Sequence, residues 1–276
     1  MTEHVSGSIL RFEDVSLFFD EEPALDHVSF DLQAGETRII FGAAGSGKSV
    51  LLKTALGLLK PDSGKIFLFG EDVTTFKEDD LYSIRGKIGV LFQEGGLFDS
   101  FNIEENVSYP LINSAGRPTR YTEQEAAKVH EALRFVELEH TLEKFPSELS
   151  GGMRRRVGIA RAAVTQPPLM LYDSPTAGLD PITANTIIAL IVKARDTSNT
   201  TSAIVTHRYQ DGHLIANFRY NPQSGQLEPA GREAAGIHER TKFMVFQRGR
   251  LVFEGTEEEL EEQSDEYVSR FKWRKN

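Results

Sequence analysis

The sequence predicts an α/β fold with a largely parallel sheet, an antiparallel β-rich region near its start and a helical block inserted into the core. Three observations lead there. Short apolar runs of β-forming residues alternate with helix-patterned segments. A glycine-rich loop sits between one such run and an apolar helix. From roughly Gly95 to Pro168 the pattern turns helical, after which strand patterns resume.

Taken in chain order, Ile9–Phe19 alternates, and Ala24–Leu32 repeats the pattern after an acidic, proline-marked turn at Asp20–Pro23, so the two read as antiparallel strands. Thr37–Phe41 is a short β-type run, and Ser49–Leu59 an apolar helix. Lys60-Pro61-Asp62-Ser63-Gly64 is a turn leading to a strand at Lys65–Phe69. Ile88–Phe92 is a further strand. Inside the helical block, Thr122-Glu123-Gln124-Glu125 is a capping box. It opens a helix whose Ala126, Val129, Leu133 and Val136 recur at helical spacing. Strand patterns return at Leu169–Tyr172 and Ser202–Thr206. Met244–Phe253 reads as a hairpin turning at Arg248-Gly249, and a second capping box, Thr256–Glu259, opens an acidic helix.

Composition narrows the function classes. The chain of 276 residues carries a net charge of −10, which argues against a general nucleic-acid binder because phosphate contacts need basic surface. With no cysteine, disulfides and thiolate metal sites are excluded. The first residues lack the basic-then-apolar pattern of a secretory signal, and no apolar run approaches the ~18 residues of a membrane span. Any membrane role is therefore expected to come through a partner.

Gly42-Ala43-Ala44-Gly45-Ser46-Gly47-Lys48-Ser49 fits the phosphate-loop pattern. Glycines let the backbone curl so that successive N–H groups point inward, and the helix that starts there adds its positive end. Lys48 is the expected partner of the β- and γ-phosphates and the Ser49 hydroxyl of Mg²⁺. The loop follows a strand pattern and precedes a helix pattern, as the motif requires. Further on, Ser150 is placed to cap a helix-like run at Arg154–Ala163. The apolar run Pro168–Tyr172 ends in the carboxylate of Asp173.

With these motifs the chain resembles the nucleotide-binding subunit of ABC transporters over nearly its whole length, from about Ile9 to Leu260. Leu149-Ser150-Gly151-Gly152-Met153 resembles the family signature, and Pro168–Asp173 resembles Walker B. Ala177-Gly178-Leu179-Asp180 matches the D-loop, His207 the switch histidine and Gln93 the Q-loop glutamine. The resemblance implies a P-loop NTPase with a RecA-like core, an antiparallel β subdomain and an inserted helical subdomain. It implies an ABC ATPase domain over 1–260, its helical subdomain at about 95–168, and a C-terminal helix or tail at 261–276. ATP and Mg²⁺ are the implied cofactors. Gly42 through Val50 would cradle the phosphates, and Ser49, Gln93 and Asp173 would hold the metal. Phe19 would stack on adenine, with Phe18 or plain core packing as alternatives. Ser150, Gly151 and Gly152 would bind the γ-phosphate held by a second subunit, so a head-to-tail homodimer or heterodimer with two sandwiched ATPs is implied.

A closer resemblance, to the Mla or MCE-associated lipid-transport ATPases, rests on Val90–Leu111 and on Ser150–Val157, where Met153 replaces the usual glutamine and Arg154, Arg155 and Arg156 follow. It implies a peripheral subunit on the cytoplasmic face of a bacterial inner membrane. Its implied partners are an integral permease and a lipid-binding MCE-type subunit, and the implied cargo is phospholipid or a related lipid. The stretch Gly95–Pro110, with Leu97, Phe98, Phe101, Ile103 and Tyr109, is implied to help form the groove for a permease helix, some of these apolar residues being expected in the core. For Arg155 the expectation is a solvated, basic helix face.

Two features depart from the pattern. Ser174 stands where the family carries its catalytic glutamate, and a hydroxyl is a poor base at neutral pH. Slow hydrolysis with Gln93, His207 and Asp180 positioning the water, substitution by another carboxylate, and a nucleotide switch with little turnover all remain open. The span Arg208–Thr241 is longer than usual and is expected to be a surface hairpin or loop. The basic tail Tyr267–Asn276 is expected to be solvated, with contact to anionic lipid or to the sister subunit as alternatives.

Overall fold

The computed structural model describes residues 7–113, 121–231 and 235–272. Strands β1 (Ser8–Phe19) and β2 (Glu22–Gln33) pair antiparallel around a tip at Asp20. On its other edge β1 takes β4 (Ser63–Leu68), which in turn carries the short β5 (Glu71–Asp72). The resulting sheet has the order β2-β1-β4-β5 and is antiparallel throughout.

The central sheet is built from β3 (Thr37–Gly42), β6 (Ile88–Leu91), β7 (Leu169–Asp173), β8 (Thr201–Val205), β11 (Thr241–Gln247) and β12 (Arg250–Gly255). Their order is β12-β11-β3-β8-β7-β6, parallel except for β12. A two-residue turn, Arg248-Gly249, joins β11 to β12 with both residues at positive φ, which suits the twist of a tight hairpin.

Alternation along these strands feeds two cores. Ile39, Phe41, Met170, Tyr172, Ile204, Phe243 and Val245 face one cluster, while Ile40, Leu169, Leu171, Ala203, Val205, Met244 and Phe246 face the other. The second cluster is shared with the antiparallel sheet, through Phe12, Val15, Leu25 and Val28 among others. The first is shared with the helical block formed by α3 (Ile103–Ile112), α4 (Glu123–Phe135) and α5 (Gly151–Ala163). A parallel sheet buried on both faces explains why its strands read as continuous apolar runs rather than alternating ones.

The remaining helices are α1 (Lys48–Ala55), α2 (Glu78–Arg85), α6 (Pro181–Ser198), α7 (Tyr209–Asn217), α8 (Ala235–Arg240) and α9 (Glu257–Glu262). Helix α1 is shorter than expected. Gly57 at φ +66° closes it, with Leu58 N–H donating to Lys53 O at 2.9 Å and Gly57 N–H to Thr54 O at 3.0 Å, which ends the helix before Leu58 and Leu59.

The long span after β8 is only partly the expected hairpin. Strands β9 (Phe218–Asn221) and β10 (Gln226–Pro229) form one, turning where Asn221 Oδ1 accepts from Gln223 N–H at 2.8 Å. Helix α7 precedes it and α8 follows. Burial of Ile215 and Ala216 in the first core holds α7 on the sheet, which a pattern of polar residues does not reveal.

The tail also departs from a solvated terminus. A 3-10 turn at Val268–Phe271 lays Phe271 flat on Phe41, with ring centroids 5.8 Å apart, and Lys272 Nζ donates to Glu261 O at 2.7 Å. Trp273, Arg274 and Lys275 lie outside the described residues. Among the described residues, no helix is long and apolar enough to cross a membrane.

Candidate functional site

Four loops converge because four neighbouring parallel strands end on one edge of the sheet. The strands β3, β8, β7 and β6 are adjacent in that order, and their carboxyl ends deliver Gly42, His207, Asp173 and Gln93. Ligands of open α/β sheets bind outside the carboxyl ends of the strands.

The phosphate loop runs from Gly42 to Ser49. Ala43, Ala44 and Gly45 are exposed, with Ala43 N–H donating to the Tyr267 hydroxyl at 3.0 Å, and Ser49 and Val50 lie on the first turn of α1. Gly47 is required there. It sits at φ +104°, and a Cβ would come within 2.4 Å of Ala24 O. Lys48 folds back over the loop, with Nζ donating to Gly42 O and Ala43 O at 2.8 Å each and to Ser46 Oγ at 3.2 Å. Burial lowers its pKa from the ordinary lysine value, opposed by the charge of Asp173. That opposition ties the end of β7 to the phosphate loop electrically as well as by topology. An ammonium satisfied only by carbonyls and a hydroxyl is ready to exchange them for phosphate oxygens.

Asp173 is the last residue of β7 and is partly exposed. Ser174 follows at φ +51°, its N–H donating to Val205 O at 2.9 Å and its Oγ to Asp173 Oδ1 at 3.2 Å. The hydroxyl proton is thus directed to the neighbouring carboxylate, and the serine oxygen left facing a water is only a weak base. Gln93 and His207 are exposed at the ends of their strands. Hard oxygen donors from Ser49, Asp173 and the Gln93 amide suit Mg²⁺, which keeps water and phosphate oxygens in its shell. The described residues contain no cluster of three or more His, Cys, Asp or Glu able to hold a metal by itself. A metal carried in on phosphates needs no such cluster.

Ser150 caps α5 as expected, with Oγ accepting from Met153 N–H at 3.3 Å. Gly151 is exposed, whereas Gly152 packs so closely on α6 that a Cβ would meet Thr183 Cγ2 at 2.4 Å. Asp180 caps α6, accepting from Ile182 N–H at 3.1 Å, Thr183 N–H at 3.0 Å and Thr183 Oγ1 at 2.5 Å. Those bonds, that from the Thr183 side chain first, hold its carboxyl below the usual range. Phe18 and Phe19 are 44% and 51% exposed at the tip of the first hairpin, so neither is core packing. Phe98, Phe101 and Tyr109 form an aromatic patch with centroids 4.8 to 6.2 Å apart, while Ile103 is fully buried and Leu97 packs half-buried against the core.

Arg155 overturns the expectation of a solvated helix face. It is 7% exposed, because its fork donates to Pro175 O at 3.0 Å, Ala177 O at 2.7 Å and Gln93 O. Burial lowers its pKa from the ordinary guanidinium value, with Glu94 opposing the shift. Arg154 and Arg156 are partly exposed and donate to Leu149 O at 2.7 Å and Val136 O at 3.1 Å. The sequence reading also missed Asp211, which is fully buried. Its Oδ2 accepts from Thr176 Oγ1 at 2.5 Å and Thr206 Oγ1 at 2.8 Å, pinning the loop after β7 to the loop after β8. A third omission is Tyr267, whose hydroxyl accepts from Ala43 N–H at 3.0 Å and donates to Phe246 O at 2.9 Å. No local pattern marks these three residues.

Residues 25–177 match the family described as ABC transporter. Among curated proteins, the chain is 39% identical over 202 residues to the probable ribonucleotide transport ATP-binding protein mkl of Mycobacterium leprae, covering 73% of this chain and 57% of that protein. It is 36% identical over 230 residues to the methionine import ATP-binding protein MetN of Corynebacterium jeikeium, covering 82% and 61%. The chain thus spans about three-fifths of the length of these relatives. Among solved structures, the ATP-binding cassette MJ0796 in a dimeric post-hydrolysis state with ADP and Pi superposes with a TM-score of 0.73 at 28% identity, covering 90% of this chain and 98% of that one. The ADP conformation of the cassette MJ1267 superposes with a TM-score of 0.74 at 26% identity, covering 96% and 98%.

Proposed function

The chain belongs to the ABC transporter ATP-binding family, and from that premise we propose that it hydrolyses ATP to drive a membrane transporter. The observation that carries this reading is the convergence of the phosphate loop, Asp173, Gln93 and His207 on adjacent strand ends. The loop N–H groups and Lys48 bind and orient the phosphates. Ser49, Asp173 and Gln93 would hold Mg²⁺, which would supply neutralisation of phosphate charge. Gln93 and His207 orient the attacking water. Ser174 supplies no base. Losing a positioned base typically lowers the rate by about 10²–10⁴-fold, but phosphoryl transfer depends mainly on positioning and charge neutralisation, so turnover survives at a reduced level.

The working unit in this reading is a head-to-tail dimer, homomeric or with a related subunit. The N-terminus of α5, capped by Ser150, exposed at Gly151 and packed on α6 at Gly152, would face the ATP of the other subunit, and Phe19 would stack on adenine. The exposed aromatics Phe98 and Tyr109 suit an apolar element of a membrane permease, since contiguous exposed apolar patches mark partner surfaces. The cargo in this reading is a phospholipid or related lipid. Residues Val90–Leu111 and Ser150–Val157 support that choice through their likeness to Mla-type ATPases, with an MCE-type lipid-binding subunit as the further partner. Such an assembly sits at the cytoplasmic face of a bacterial inner membrane.

A second reading is favoured by one observation, the Ser174 Oγ bond to Asp173. In it the site binds ATP and switches the dimer with little turnover. Phosphate release by the purified chain under Mg²⁺–ATP, measured beside ATP binding, separates the two. The motor reading expects turnover that Lys48→Ala abolishes and Ser174→Glu raises by tenfold or more, of the order expected for a restored base. Binding without phosphate release, followed by release in Ser174→Glu, makes the chain a switch.

A further inference from the structure

Two guanidinium groups on α5 hold five backbone carbonyls of two loops. Arg161 donates to Gly96 O at 2.7 Å and Gly95 O at 3.0 Å, so it grips only the loop after β6. Arg155 reaches both loops. One of its nitrogens takes Gln93 O, and the other takes Pro175 O and Ala177 O in the loop after β7. These acceptors lie 62, 20 and 22 residues away in the chain, so the contact is a tertiary strut rather than a helix cap.

We propose that Arg155 is a positioning residue for phosphoryl transfer, which locks the loop carrying Gln93 to the loop running from Ser174 to Ala177 so that both move with α5. The inference rests on the reading of this site as ATP-hydrolysing. Three features of the geometry support it. The bonds go to backbone carbonyls, so they fix the path of each loop and through it the direction of the Gln93 side chain. The donor is charged and buried, which makes each bond stronger than a neutral one. The fork is also specific, because a lysine at the same place offers one compact ammonium and cannot hold carbonyls of separate loops in a planar arrangement.

Ser174 makes the strut matter more. With a serine at the place of the carboxylate base, the rate depends on holding the water, Gln93 and the phosphates in one register. A displacement near 1 Å can cost about 10²-fold in such a case. Asp211 ties the same loop to the histidine loop through Thr176 and Thr206. Arg155 supplies the matching tie on the other side, toward Gln93. Since Ser150 caps α5, an anion arriving at the helix start is linked to both loops within two helical turns.

The test compares the full chain with Arg155→Lys and Arg155→Met. Two readouts are taken below the melting temperature of each variant: steady-state phosphate release, and amide hydrogen exchange with and without Mg²⁺–ATP. Both variants are expected to lose about tenfold or more in kcat, with KM for ATP within about twofold of the parent. In the parent, Mg²⁺–ATP is expected to protect residues 93–96 and 174–179 together. In the variants, protection of the phosphate loop persists while joint protection of these two segments is lost. Wild-type kcat and joint protection in folded Arg155→Met would overturn the proposal, as would full rescue by lysine. If the parent itself releases no phosphate, the hydrolysis reading fails, and the exchange data alone then decide whether Arg155 couples the loops.

Discussion

The phosphate loop and the loop after β7 leave the same edge of one sheet, yet they are built from different parts. The first is made of backbone. Three of its exposed residues, Ala43, Ala44 and Gly45, carry no polar side chain, and one lysine supplies the charge. The second is made of side-chain ties. Ser174 bonds Asp173, Thr176 bonds Asp211, and Arg155 holds Pro175 O and Ala177 O from another helix. The difference teaches where tolerance lies. A backbone site accepts almost any side chain that leaves its φ angles alone. A site of side-chain ties fails with the loss of one donor, however intact its backbone pattern.

Three substitutions probe that contrast. The largest effect is expected from Asp173→Asn, which keeps the shape of the loop after β7 and removes its charge. Phosphate release is expected to fall by about 10²-fold or more, by analogy with removing one preorganised electrostatic partner, and the Mg²⁺ dependence of ATP binding to flatten. An unchanged Mg²⁺ titration would break the contrast by showing that the charge lies elsewhere. Next comes Gly47→Ala, which changes no functional group but forces a Cβ against Ala24 O at φ +104°. Strain of about 1–3 kcal/mol is expected to weaken ATP binding about tenfold, read by titration with a fluorescent nucleotide. Wild-type affinity would show that the loop relaxes and that its backbone is less exacting than described. The smallest effect belongs to Ser150→Ala, where a backbone anion site is finished by one side chain. Loss of the cap is expected to cost about 1 kcal/mol of stability in urea unfolding. A change below a few tenths of a kcal/mol would place the start of α5 with the purely backbone sites.

The same contrast explains what the sequence made legible. The phosphate loop, the strands around it and the caps at Ser150, Thr122 and Thr256 could be read because each is a local pattern with fixed spacing. Arg155 could not, because burial of a guanidinium depends on carbonyls brought in by the fold. Within α5 its neighbours Arg154 and Arg156 carry the same charge, yet they stay partly exposed. Asp211 was hidden for the same reason, since its threonine partners belong to loops after two different strands. Helix α7 escaped because its apolar residues are few and what holds it is the sheet beneath. Whether Ser174 permits hydrolysis is a question about a rate, and no pattern of residues encodes it.

The place of β3 in the sheet has a consequence for how the chain is made on a ribosome. Its neighbours β8 and β11 lie at Thr201–Val205 and Thr241–Gln247, and the hydroxyl on Ala43 N–H comes from a residue 224 positions later. The antiparallel pair β1 and β2 is complete as soon as it emerges. The strand that delivers the phosphate loop must wait for one edge until β8 at Thr201–Val205 is made, and for the other until β11 at Thr241–Gln247. Long-range parallel pairing is slow and leaves apolar strands open to wrong partners in the meantime. A nascent chain stalled before β11 therefore carries every residue of the phosphate loop while one edge of the strand that positions it is still open.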